Sequence, residues 1–418
     1  MKKIILFIFL LNFLNSFSQQ VDSIELTTCV NAAIEVFQIQ KSLDFNNKSV
    51  ELQQQNLKTN FLPSIKLEGQ ATYQSEAIEL NLPIPGLVMP EVPLDQYKVY
   101  FEINQLIYDG GQTNNYNKIL STTSSENIIK TQIQQKDIEN NISKIFFYTI
   151  LLEKQLQITE NQFKTINDQL KTIEIGVKNE IVLPVNYDIL YVEKLKIEQK
   201  IDEIKIQKNS TLKVLEYYTN LKFTENTKFI LPSITLTNEN NNSSKTELLR
   251  IQSQKLELQN SQLSSSRRPN VYAFIQGGYG RPGLNMLSSD FSPYFFTGVK
   301  FSWKIYDWNN TKRSKEMNIF KSQIIDIEQQ NISISNNIQK ENILSQINSF
   351  SKNIEKDKEI IKIQEKIIKT YNSQLENGII KASDYVIELN KLTQAKLMLE
   401  LHLIQLEQKK FEFNNFNN

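Results

Sequence analysis

His402 and Cys29 are the only histidine and the only cysteine in the chain. Together they could offer one base and one thiol, too few for a His/Cys metal centre or a histidine-driven nucleophile. A lone histidine near the end of a helical pattern reads as a packed or surface residue. Gly277-Gly278-Tyr279-Gly280 is rich in glycine, but it falls in a strand-like stretch and no Lys-Ser/Thr follows, so it does not read as a phosphate loop. Carboxylates are plentiful, yet in Glu355-Lys356-Asp357-Lys358-Glu359 they alternate with lysine, the pattern of a solvated helix face. The sequence predicts no enzyme, no cofactor, no metal and no bound nucleotide. Any energy its function uses must come from another protein.

What remains to be explained is a set of very long elements. After Gly298 there are 120 residues with no proline and one glycine, Gly378, which predicts two long helices joined at a tight turn. Ile343, Ile347, Phe350, Ile354, Ile361, Ile368, Tyr371 and Leu375 form one coiled-coil seam, interrupted only by Asp357 and Gln364. At the usual rise per residue the arm from about 309 to 377 would measure on the order of 100 Å. A rod of that length either spans a compartment or forms part of a tube.

The chain begins Met1-Lys2-Lys3, continues with an apolar run from Ile4 to Leu14 and reaches Ser16 and Ser18, which predicts a secretory signal over 1–18. Losing Lys2 and Lys3 turns the formal charge from +1 to −1, so no nucleic-acid surface is implied. Leu26-Thr27-Thr28-Cys29 resembles a lipoprotein box but lies behind Asp22 and Glu25, too far from the apolar run to serve as one. With one cysteine there is no internal disulfide, and stability must come from packing or assembly. No later stretch is apolar enough for a membrane-spanning helix, so any crossing must use strands.

The sequence is duplicated. Val50-Glu51-Leu52 through Pro63 aligns with Leu256-Glu257-Leu258 through Pro269 at a shift of 206, and Ile107-Tyr108-Asp109 aligns with Ile305-Tyr306-Asp307 at a shift of 198. The copies are expected over 19–237 and 247–418, with an Asn/Ser-rich linker at 238–246. Each reads as helix, strand hairpin (about 64–107 and 270–305) and long helical hairpin (about 109–221 and 307–414). The tips fall near 180–186 and 378–384. Asp109 and Asp307 stand where a carboxylate caps the first turn of a long helix.

The hairpins alternate. Ile65, Leu67, Gly69, Ala71 and Tyr73 oppose Lys66, Glu68, Gln70, Thr72 and Gln74, and Tyr97, Val99, Phe101, Ile103 and Ile107 oppose Lys98, Glu102 and Asn104. Val271, Ala273, Ile275 and Tyr279, then Phe295, Val299, Phe301, Trp303 and Ile305, keep the phase. A single such hairpin could cover a soluble core. Four such strands in an exported chain, with aromatics near their ends, favour an outer-membrane barrel with a polar lumen. Four strands cannot close a barrel, so several chains must share one.

At this point the sequence resembles the TolC-type outer-membrane efflux channels. The resemblance rests on Ile24 through Ala33, on Leu62-Pro63 and Arg268-Pro269, on Tyr108-Asp109-Gly110-Gly111, and on the tips Glu180 through Leu190 and Gly378 through Val386. It implies a mainly α fold with transmembrane β: a homotrimer with a shared 12-stranded barrel among outer-membrane lipid, continued by a helical barrel through the periplasm. It also implies docking onto a periplasmic adaptor protein and an inner-membrane pump. By resemblance Asp384 belongs to a carboxylate ring at the periplasmic entrance, with Asn186 and Asp188 as first-copy counterparts; Asp384 could instead cap its own helix. The adaptor would meet Gly378, Ile379, Ile181 and Val182. The family's latch residues are only partly present, since Ile380 and Leu375 stand where an arginine and a tyrosine are usual. Lacking Gly378's counterpart, the first tip, with Glu180 and Pro184, is expected to be shaped differently. The rival readings are a periplasmic adaptor, which would need lipoyl-like and barrel segments absent here, and a structural coiled-coil protein of the envelope, which would not need the hairpins.

Overall fold

The computed structural model describes residues 23–76, 93–225, 227–237 and 243–417. The expected signal segment, the first hairpin's Pro83, Pro85, Gly86 and Pro90, and residues 238–242 of the expected linker lie outside these. The order of elements is β1 (Ser23–Ile24), α1 (Leu26–Val36), α2 (Ile39–Thr59), β2 (Ser64–Tyr73), β3 (Asp95–Tyr108), α3 (Gln112–Lys178), α4 (Pro184–Thr219), β4 (Lys228–Phe229), α5 (Ser244–Ser265), β5 (Asn270–Arg281), β6 (Ser292–Ser302), α6 (Asn310–Glu376) and α7 (Ala382–Asn417).

The duplication is carried into the geometry. Both α3 and α6 have 67 residues, both α4 and α7 have 36, and a shift of 198 superposes their limits. The hairpins agree as closely, since Ser64 pairs with Asn104 as Asn270 pairs with Ser302. Two sequence copies therefore specify the same register twice.

The chain packs as two units, and each draws on both copies. One unit consists of Leu43–Lys130 with Glu247–Gln330, and the other holds the remaining described residues. The first unit carries one antiparallel four-stranded sheet in the order β2-β3-β5-β6. Its strands of 10 to 14 residues suit a tilted crossing of a bilayer, for which about 9–11 residues suffice. Polar bonds set the helices of this unit beside one another: Ser124 donates to Asn47 between α3 and α2, and Ser253 and Ser322 bond between α5 and α6. These two contacts are again copies of each other. β6 ends at Ser302, short of the expected Trp303 and Ile305. The Trp303 indole donates to the Arg267 carbonyl at 2.9 Å and Arg267 donates to the Ile305 carbonyl at 3.0 Å, so the end of α5 takes over from the ladder.

The second unit has two apolar clusters. Ile24, Cys29, Ala33, Phe146, Phe147, Leu215 and Phe229 build one, with β1 and β4 paired beside it. Ile166, Ile173, Val182, Leu190, Leu375 and Tyr385 build the other, which joins the helical tips of the two copies. No helix among the described residues is long and apolar enough to cross a membrane.

Candidate functional site

The two residues with chemical potential are both occupied. Cys29 is fully buried inside α1, and burial pushes its thiol up to about 12, which disfavours the reactive thiolate. His402 Nδ1 lies 2.6 Å from Asp357 Oδ2 across the α6–α7 hairpin, with the Phe350 ring beside it. Asp357 thus interrupts the α6 seam because it has a partner on the returning helix. The second interruption is resolved the same way: Gln364 donates to the Glu388 carboxylate at 2.7 Å and to its carbonyl at 3.3 Å. A buried polar pair fixes the register of a long helical hairpin. No group of carboxylates, histidine or cysteine able to hold a metal occurs among the described residues.

The two candidate caps sit at the junctions of strand and helix. Asp109 accepts from the amides of Gly111 at 2.8 Å and Thr113 at 2.6 Å. Burial pushes its carboxyl up, but the bonds from Thr113 and Gly111 outweigh this and hold it below its usual value. Asp307 accepts from the Thr311 amide at 2.9 Å and from the Thr311 hydroxyl, and these bonds hold it low as well. The backbone before each helix is left-handed, at Gly110 and Gly111 in one copy and at Trp308 and Asn309 in the other. Gly110 is obligatory there: a Cβ would stand 2.5 Å from that of Arg268.

At the tips the expectation of unlike shapes is corrected. Glu180 adopts φ +58° where Gly378 has φ +70°, and both tips close with the same bonds, Ile181 to Gly176 O and Ile379 to Gln374 O. The left-handed residue costs Glu180 roughly 1–2 kcal/mol, which the two backbone bonds of the Schellman closure offset. Asp384 is exposed in the first turn of α7, with the Ser383 hydroxyl donating to it at 3.4 Å. Asp188 is exposed too. Asn186 departs from its expected place at an entrance: it is buried, and its Oδ1 accepts from the Ala382 amide at 2.8 Å, capping α7 from the other copy. Val182 likewise is no surface contact, since it is buried against Gly176. Ile181, Leu183, Val185, Gly378 and Ile379 are among the exposed tip residues; Leu183 and Val185 escaped notice because spacing alone does not say which side of a turn is covered. Tyr385 is buried beneath, its phenol pushed up to about 12 by burial and by Glu376.

The sheet is built inside out. Its apolar face lies open: Ile65 is 69% exposed, Val299 72% and Phe295 75%. Leu67, Val99, Phe101, Ile275, Tyr279 and Phe301 continue the same face, in register from strand to strand. The other face carries Lys66, Glu68, Lys98, Glu102, Asn104, Gln276 and Lys300, with Tyr100 donating to Glu68 at 2.7 Å. The strand ends remote from the helices carry an aromatic belt. Phe291 stacks on Tyr97 and Tyr279, and Arg281 lies over the Phe291 ring and pairs with Asp95 at 3.2 Å. Tyr108, Trp303 and Tyr306 are exposed at the helix-side ends. Two belts bounding an exposed apolar band are what a strand needs to sit in lipid.

No family model and no curated protein sequence matches the chain. Solved structures do. The outer membrane protein VceC of Vibrio cholerae covers 94% of this chain and 95% of its own, with a TM-score of 0.70 at 10% identity. The Campylobacter jejuni CmeC outer membrane channel covers 94% and 85% with a TM-score of 0.71 at 11% identity. The Neisseria gonorrhoeae MtrE outer membrane channel, in its open state, covers 94% and 88% with a TM-score of 0.65 at 12% identity. The fold of this chain is that of the outer membrane factor channels.

Proposed function

We propose that three copies of this chain form a passive export channel in the outer membrane, their helical hairpins making a periplasmic conduit that docks onto an adaptor protein and an inner-membrane pump. The observation that carries this reading is the inverted sheet. A soluble protein does not leave an apolar face open to water across four strands, and a bilayer makes that arrangement favourable. With two open sheet edges and four strands in that sheet among the described residues, one chain cannot close a filled barrel, which takes about eight. Three chains give twelve strands.

The conduit performs no reaction. Asp384, exposed at the tip, supplies one carboxylate from each of the three chains to the entrance, where their gathered negative charge attracts cations. Ile181, Leu183, Val185 and Ile379 offer the adaptor an apolar rim. In planar bilayers the purified protein should give discrete conductance steps, and Asp384→Ala should weaken block by multivalent cations. Correctly folded protein without steps would overturn the channel; unchanged block would remove Asp384 from the entrance.

A further inference from the structure

The polar face of the sheet departs from its own pattern in the second copy. On the side opposite Ile65 and Val299, where alternation calls for polar residues, β5 and β6 carry Tyr272, Phe274, Tyr294 and Phe296. The first copy supplies the comparison. At the shifts of 206 for β2 onto β5 and 198 for β3 onto β6, these positions correspond to Lys66, Glu68, Gln96 and Lys98, in the same register and on the same face. A hairpin with those four polar residues makes the same ladder, so strand pairing does not call for the rings.

The rings form a strip that runs with the strands. Tyr272 pairs with Lys300, Phe274 with Gly298, Gln276 with Phe296 and Gly278 with Tyr294, so they follow one another over roughly 20 Å of strand. Phe274 lies across Gly298, where an added Cβ would stand 3.0 Å from Phe274 Cζ, and Phe296 stands edge-on to it with centroids 5.7 Å apart at 77°. Phe296 is 38% exposed, and Tyr272, Phe274 and Tyr294 are half-buried. Carboxylates flank the middle of the strip. Glu102 faces Gln276 in the row of Phe296, and Glu68 stands in the row of Tyr294, accepting from Tyr100 at 2.7 Å. Lysines stand further off: Lys66 lies one strand beyond Glu102, Lys300 is at the helix-side end, and Lys98 is over Gly280 past the other end. We propose that this strip is a transit site for planar aromatic cations on the lumen wall. Such a molecule stacks its ring on the aromatic side chains and sets its charge between their faces and Glu102. The site rests on the reading of a channel whose polar sheet face lines the lumen.

The test compares two cations of equal charge in planar bilayers, N-methylacridinium with three fused rings and tetraethylammonium with none. Acridinium should block the current at a concentration about tenfold lower. Two double variants then remove the strip. Phe274→Leu with Phe296→Leu keeps it apolar without rings, and Phe274→Glu with Phe296→Lys installs the first copy's residues with no change in net charge. Either should raise the half-blocking concentration of acridinium about tenfold and leave that of tetraethylammonium where it was; if one folds poorly, the other decides. Equal potency of the two cations in the native channel would overturn the strip. So would acridinium block that survives both double variants and disappears in Asp384→Ala, which would place the cation at the entrance. Folded native protein that gives no conductance steps would overturn the channel itself, and the strip with it.

Discussion

Asp109 and Asp307 hold the amides that open the two long helices, and the amides hold them ionised. Because Asp109 titrates below its usual 3.8 when folded, its stabilising contribution is complete above that value and is lost as the pH falls through the lower, folded one. Asp109→Ala should therefore cost about 1 kcal/mol at neutral pH, the usual loss for a cap, and the difference should shrink in acid. Amide exchange in the first turn of α3 would show it as roughly fivefold faster exchange at neutral pH; equal exchange in both proteins would contradict the cap. These carboxylates were legible in the sequence because a cap and the helix it serves are neighbours along the chain. Asn186 was not: its partner, the Ala382 amide, lies 196 residues away, and only the fold brings the tips together. The same holds for Asp357 and His402, which the sequence displayed as a flaw in one seam and a stray base.

At the level of elements, the junction between copies inside one chain is polar. Glu126, buried on α3, takes Lys255 of α5 at 2.9 Å and Lys130 of its own helix at 2.7 Å. Burial pushes Glu126 up, but the two lysines outweigh it and hold it low. By the same shifts, the counterparts of Glu126 and Lys255 at a junction between neighbouring chains are Ile324 on α6 and Ser49 on α2, an uncharged pair in place of an ion pair. Ile324→Glu should bury a carboxylate that meets Ser49 and no lysine across the junction, at a cost of about 3–5 kcal/mol per junction, and leave the chains unassembled in size-exclusion chromatography. Adding Ser49→Lys should restore assembly by re-creating the internal ion pair. Normal assembly of the single variant, or failure of the double one, would contradict the placement of α2. Helix lengths, hairpin phase and duplication could be read from periodicity, since each is a local pattern repeated. Which seam is covered within the chain and which is left open could not, because Ile324 and Ile343 look alike in sequence; only Ile343 is buried.

For the whole molecule, the sheet carries the argument for the proposed role. An exposed apolar band, two aromatic belts and two open edges are liabilities in water and are resolved together when several chains close one barrel in lipid. The solved channels share this fold at identities of 10–12%, as expected where length, phase and turn position are constrained more tightly than the identity of any residue. The number of chains in one particle decides the matter most directly. Native mass spectrometry of protein extracted from outer membranes in mild detergent should find a single species of three chains. A monodisperse single chain, folded and stable, would contradict the shared conduit.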